Sequence, residues 1–150
     1  MFAESSIYMD VSSIPNETYL YPELTRKIIG CAMHVQTYYG PWYVEYVYQK
    51  ALERMLLREG IPFEAKKKVP VFFEGEDIGA VLELDILVDS KIILELKSLD
   101  RLTAANERQI ISYLKATGKE VGLLINFGES RLKWKRFVNT SPIKEDTPQK

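Results

Sequence analysis

Three charged residues break into stretches that otherwise alternate like strands. In residues 81–88, Asp85 falls with Val81, Glu83 and Leu87, opposite a face made by Leu82, Leu84, Ile86 and Val88. In residues 91–97, Glu95 and Lys97 share one face and Ile92, Leu94 and Leu96 the other. The tight Asp89-Ser90 turn makes the two stretches neighbours, so Asp85, Glu95 and Lys97 can meet where register allows. Two carboxylates a few ångströms apart repel and raise each other's pKa unless a cation lies between them. Magnesium suits such a site, because it seeks oxygen ligands and often takes one or two carboxylates while keeping waters for a substrate phosphate. A neighbouring lysine lowers carboxylate pKa values, which predicts ionised ligands at neutral pH. The competing reading is a solvated strand face whose ion pairs are of little energetic worth.

Further residues with chemical potential lie on helical stretches. Glu45 and Tyr48, three positions apart, occupy one side of a helix. Taken alone, Glu45 is also an ordinary first-turn carboxylate favoured by the helix dipole. Gln109 and Tyr113 are spaced i, i+4 and can act together, or can be a surface glutamine beside a half-buried core tyrosine. Asn126 reads as a strand-end hydrogen bonder, Cys31 as a thiol at the core's edge and His34 as a surface or interface residue. The aromatic turn of residues 38–43 reads as a packing cluster, with stacking of Trp42 on a substrate base as the alternative.

Bringing these groups together requires helices, a hairpin and a crossover. From Pro22, Leu24, Ile28, Ala32, Val35 and Tyr39 recur at helical spacing until Gly40-Pro41 stops the run. A second helix is predicted from Trp42 or Tyr43, with a stripe of Val44, Tyr48, Ala51 and Met55, ending at Gly60-Ile61-Pro62. Val69, Val71 and Phe73 alternate into the hairpin signal Glu74-Gly75-Glu76-Asp77. Strands over residues 78–88 and 91–97 follow. Thr103 can cap a helix that runs to Ala116 and is terminated by Gly118. Residues 121–127 form a nearly unbroken apolar run, as in a strand buried on both faces, and residues 133–138 read as a weaker edge strand. The order predicts an α/β sandwich around a mixed sheet, because the Thr103 helix is long enough for a parallel crossover.

Composition narrows the field. At 150 residues, 46% hydrophobic and 27% charged, the chain suits one globular domain. Residues 22–140 read as that domain, 1–21 as an N-terminal arm or tail and 141–150 as a flexible C-terminal tail. A net charge of −1 gives no footprint of a tight nucleic-acid binder, so any such contact is local and metal-assisted. Specificity would then come from a protein partner or from homo-oligomerisation. One cysteine and one histidine exclude a disulfide framework and a His/Cys zinc cluster. No apolar run approaches a membrane span and no leader is evident, so a soluble cytoplasmic protein is expected.

Several stretches match one family together. They are residues 45–52, 94–97, 109–118 and 122–128, carrying Glu45 and Tyr48, Glu95 and Lys97, Gln109 and Tyr113, and Gly122 to Gly128. On these the chain resembles the small GxxExxY proteins, a branch of the PD-(D/E)XK nuclease superfamily. The resemblance implies a restriction-endonuclease-like core, a mixed β-sheet flanked by helices. It implies a nuclease that hydrolyses phosphodiester bonds of DNA (or RNA) with Mg2+ (or Mn2+), or else a catalytically inactive nuclease-fold module that binds nucleic acid or protein. Asp85 and Glu95 are then similar to the metal ligands, with Glu45 as the helical acid that assists. Lys97 is similar to the lysine that orients water or steadies the phosphate. Tyr48 matches the motif tyrosine, and Gln109 and Tyr113 resemble the QxxxY element that positions the substrate. The motif glycine falls on Trp42, and two histidines usual in the family fall on Gln36 and Asn106.

Overall fold

The computed structural model describes residues 2–7 and 19–139. The elements are β1 (Phe2–Ile7), α1 (Pro22–Tyr39), α2 (Glu45–Arg58), β2 (Phe63–Phe73), β3 (Glu76–Val88), β4 (Ile92–Lys97), α3 (Ala104–Thr117), β5 (Val121–Asn126) and β6 (Lys133–Asn139). One sheet runs in the order β1-β6-β5-β4-β3-β2. Only the β4–β5 pair is parallel among the described strands, and α3 is the crossover that joins its members. The predicted mixed sheet and crossover are therefore present.

Helices cover both faces of the sheet. Ile28, Ala32 and Val35 of α1 and Tyr48, Leu52 and Leu56 of α2 pack on Ile86, Leu94, Leu96, Leu123 and Ile125. On the other side Ile110, Tyr113 and Leu114 of α3 pack on Leu84, Leu87, Ile93, Leu124 and Phe137. The buried stripe of α2 is rotated from the expected one: Val44 is exposed, while Leu52 and Leu56 are fully buried and Ala51 and Met55 lie at the margin. Val44 precedes the helix as its N-cap, and turning Leu52 and Leu56 inward removes more apolar surface from water than turning Ala51 and Met55 inward would.

Helix ends follow the punctuation in the sequence. Gly40 and Gly118 close α1 and α3 with φ of 70° and 73°, where a side chain would be strained. Thr103 accepts a hydrogen bond from the Asn106 amide and Asn106 Oδ1 accepts one from the Thr103 amide at 2.8 Å, closing a capping box. Asn106, which stands where the resemblance expects a histidine, thus has a structural task at the start of α3.

The sheet's far edge differs from the expected one at β6. Of the predicted N-terminal arm, Phe2–Ile7 form an antiparallel strand against β6. Tyr19 is buried with its ring 3.6 Å from the Arg136 guanidinium. Hence β6 is an interior strand, not an edge, and Trp134, Arg136 and Phe137 are buried in it. Backbone pairing with β1 supplies this edge, and residues 2–7 show no apolar alternation to announce it. Residues 8–18 of the arm and the expected tail from 141 onward lie outside the described residues.

Candidate active site

Asp85 sits where β3 stops behaving as a regular strand. β3 pairs with β4 only through Ile86–Leu94, Leu87–Ile93 and Val88–Ile92. One residue further along, the Asp85 side chain replaces the ladder: its Oδ2 accepts the Leu96 amide at 2.8 Å. The Asp85 carbonyl turns towards α2, where Gln49 Nε2 donates to it at 2.9 Å. Alternation is broken there, with a consequence for the predicted faces. Leu84 packs with Leu87 under α3, whereas Ile86 and Val88 face α1 and α2. The expectation of one face shared by Leu82, Leu84, Ile86 and Val88 therefore fails at Asp85, because a carboxylate has taken an in-plane hydrogen bond.

Opposite Asp85 across the β2–β3 ladder, Lys66 also drops out of register, between the pairs Ala65–Ile86 and Lys67–Leu84. Its φ is 53°, a left-handed value that costs a non-glycine residue on the order of 1 kcal/mol or more. The side chain reaches over Asp85, with Nζ 3.5 Å from Oδ1. Sequence reasoning did not single out Lys66, since Lys66, Lys67 and Lys68 form a uniform basic run and nothing in it marks the left-handed residue.

Glu95 and Lys97 lie on the same side of β4, as alternation predicts, with Lys97 Nζ 3.4 Å from Glu95 Oε2. Glu95 is only 3% exposed, and its Oε1 has no hydrogen-bond partner among the described residues. Burial first, and then the Asp85 carboxylate, push the Glu95 pKa up to about 8, against the opposing pull of Lys97. The expectation that the lysine keeps this carboxylate ionised at neutral pH is thus overturned: desolvation outweighs one ammonium. Glu45 is likewise raised, by burial and then by Asp85, with Lys97 and Lys66 opposing.

The start of α2 is anchored to the strand ends. Tyr48 is fully buried, its ring stacked on Phe127 at 4.7 Å, and its hydroxyl donates to the Gly40 carbonyl and accepts the Tyr43 amide at 3.2 Å. Ser98 Oγ, one residue past Lys97, donates to the Tyr43 carbonyl at 2.7 Å. Tyr48 therefore holds the turn that delivers Glu45. Direct contact between Tyr48 and a substrate is not supported, because both ring and hydroxyl are used inside the fold. Trp42 projects from the same turn and is 83% exposed.

Gln109 Nε2 donates to the Tyr113 hydroxyl at 3.0 Å on α3. Burial and then the Glu95 charge raise the Tyr113 pKa, which places its hydroxyl in the field of the acidic group. Asn126 acts as the expected strand-end bonder. Its Oδ1 accepts the Leu99 amide at 2.9 Å and its Nδ2 donates to the Leu99 carbonyl at 3.0 Å, fixing the chain beyond Lys97. Cys31 is buried and His34 exposed, both away from this chemistry.

A model of the PD-(D/E)XK nuclease superfamily matches residues 22–137. The chain belongs to that superfamily. No curated protein and no solved structure matches it. Its α/β fold, a mixed sheet flanked by helices, is consistent with a restriction-endonuclease-like PD-(D/E)XK domain. PD-(D/E)XK nucleases generally use divalent metals, and the residues here fit one such ion. Among the described residues Glu95 Oε1 is a buried acceptor with no hydrogen-bond partner, and Asp85 Oδ1 lies 3.5 Å from Lys66 Nζ. Two carboxylate oxygens with water and phosphate completing the shell is a magnesium-like donor set. Among the described residues, no three acidic, His or Cys side chains are gathered closely enough to hold an ion together. Glu45 is thus not gathered with Asp85 and Glu95 into such a group among the described residues. No described helix is long and apolar enough to cross a membrane.

Proposed function

We propose that this chain is a metal-dependent nuclease of the GxxExxY branch, hydrolysing phosphodiester bonds of DNA or RNA with magnesium or manganese. The observation that carries the proposal is the unpartnered, buried Glu95 Oε1 beside Asp85 and Lys97. In a sheet serving structure alone, such an oxygen is a defect of about 1–3 kcal/mol. It is useful where a cation is to be received.

In this reading Asp85 Oδ1 and Glu95 Oε1 hold the ion, and Glu45 adds negative charge at the start of α2. The chemistry such an ion supplies, when bound, is activation of water and neutralisation of charge on the phosphate. Lys97, which is mostly buried, presents its ammonium to the phosphate oxygens as negative charge grows on them. The Tyr113 hydroxyl, steadied by Gln109, hydrogen-bonds the nucleic-acid backbone or a flanking base. Trp42 stands ready to stack on an unpaired base from the turn that carries Glu45.

The net charge of −1 favours a second reading, a nuclease-fold module that binds nucleic acid or a protein without turnover. Incubation of labelled single- and double-stranded DNA and RNA with Mn2+ or Mg2+ separates the two. Cleavage that vanishes in Lys97→Ala, with folding intact, supports the nuclease. Metal binding without cleavage of any substrate supports the module.

A further inference from the structure

Lys66 and a divalent ion have the same target. Asp85 Oδ2 is committed to the Leu96 amide, which leaves Oδ1 as the oxygen free to take a cation, and Lys66 Nζ lies 3.5 Å from it. The contact is built into the backbone: Lys66 is left-handed and unpaired in the strand ladder directly across from Asp85. The two ammoniums of the cluster are placed differently. Lys97 is mostly buried, whereas Lys66 is half-exposed and hangs on a flexible four-carbon stem that can swing into water.

We propose that Lys66 is the exchangeable cation of this site: it holds Asp85 Oδ1 in the metal-free protein, gives way to a divalent ion, and the released ammonium then binds a substrate phosphate oxygen. This rests on the metal-dependent reading above. Charge balance supports it. In the metal-bound protein three carboxylates face two ammoniums and a divalent ion, which leaves the cluster with a net charge of +1. Excess positive charge then repels the more mobile lysine, and an anionic phosphate is the group that accommodates it.

The test uses binding, not turnover. Mn2+ affinity is measured by calorimetry for the wild type, Lys66→Met and Lys66→Arg. Affinity for a hydrolysis-resistant phosphorothioate oligonucleotide is measured for the same proteins with and without Mn2+. Lys66→Met is expected to bind Mn2+ more tightly by on the order of fivefold, as one competing charge is gone. It is also expected to lose several-fold of the gain in oligonucleotide affinity that Mn2+ brings. Lys66→Arg keeps the charge and is expected to follow the wild type in both measurements, which separates charge from any loss of folding. Equal Mn2+ affinity in the wild type and Lys66→Met overturns the exchange while leaving the metal site standing. Tighter Mn2+ binding with an undiminished oligonucleotide gain overturns the phosphate half. Absence of Mn2+ binding in all three proteins overturns this proposal and the metal-dependent reading together.

Discussion

Replacing Glu95 by glutamine is expected to stabilise the protein, by an amount that grows with pH. In the folded chain the Glu95 carboxyl titrates near about 8, and its ordinary value is 4.5. Between those values the folded state holds a proton that the unfolded state has released, so the stability of the wild type falls as pH rises through this window. Below about pH 4.5 both states are protonated and the penalty vanishes; above about pH 8 both are ionised and it levels off. At about 1.36 kcal/mol per pH unit, the loss is under about 1 kcal/mol at pH 5 and on the order of 3 kcal/mol at pH 7. Glu95 is only 3% exposed, so solvent screening takes little from these figures.

Glutamine has the same shape and no charge to desolvate. Its hydrogen bonds add an offset of their own, but that offset does not vary with pH, so the discriminating quantity is the slope. Urea unfolding of both proteins, followed by the fluorescence of the buried Trp134, gives the two stability curves between about pH 5 and 8. The advantage of Glu95→Gln is expected to widen by about 2–3 kcal/mol between pH 5 and 7. On the metal-dependent reading, in which the native carboxylate pair would hold the ion, saturating Mn2+ is expected to stabilise the wild type and to help the variant much less. A difference that stays flat across the window would refute the reasoning, because the buried carboxyl would then be ionised throughout.

Tyr48→Phe leaves the Gly40 carbonyl and the Tyr43 amide without the hydroxyl that joins them, and is expected to cost about 1–3 kcal/mol in urea unfolding and to slow cleavage by loosening the turn that carries Glu45. Gly128→Ala would place a methyl 2.4 Å from the Leu99 amide nitrogen and 2.5 Å from its carbonyl oxygen, so a loss of more than about 2 kcal/mol is expected in the same assay. Trp42→Ala is expected to leave the melting temperature unchanged and to weaken single-stranded oligonucleotide binding by about 1–3 kcal/mol, with unchanged affinity counting against a stacking role.

Regular elements were legible where period and punctuation agreed. The stripe of α1 ended by Gly40, the capped α3 ended by Gly118, and the unbroken apolar run of β5 are local statements about burial and backbone freedom. Alternation likewise placed Glu95 and Lys97 side by side. Hidden features depend on distant partners. The parity switch at Asp85 exists because its carboxylate takes the Leu96 amide, eleven positions away. β1 exists through backbone pairing with β6, at the opposite end of the chain. The proton on Glu95 follows first from burial and then from the Asp85 carboxylate, and the depth of burial is the part that strand alternation does not reveal. Lys66 was invisible because its left-handed φ reflects the irregularity across the ladder.

These departures are not scattered. Asp85 leaves its strand, Lys66 adopts a disfavoured backbone region, and Glu95 keeps an acceptor without a donor, all where β3 parts from β4. Each lowers stability in isolation, and a sheet shaped by stability alone would relieve them with apolar residues in regular register. Around them the structure is over-determined: Asn126 clamps Leu99, Tyr48 bolts the α1–α2 turn, and Gln49 holds the Asp85 carbonyl. Rigid surroundings enforcing a locally unfavourable cluster is what a receptor for a missing charge requires, because relaxation of the cluster would abolish its affinity. A cation entering there gains the attraction of the carboxylates and removes the cost of leaving Glu95 unpartnered, and that double gain is why the metal-dependent reading outweighs the solvated strand face.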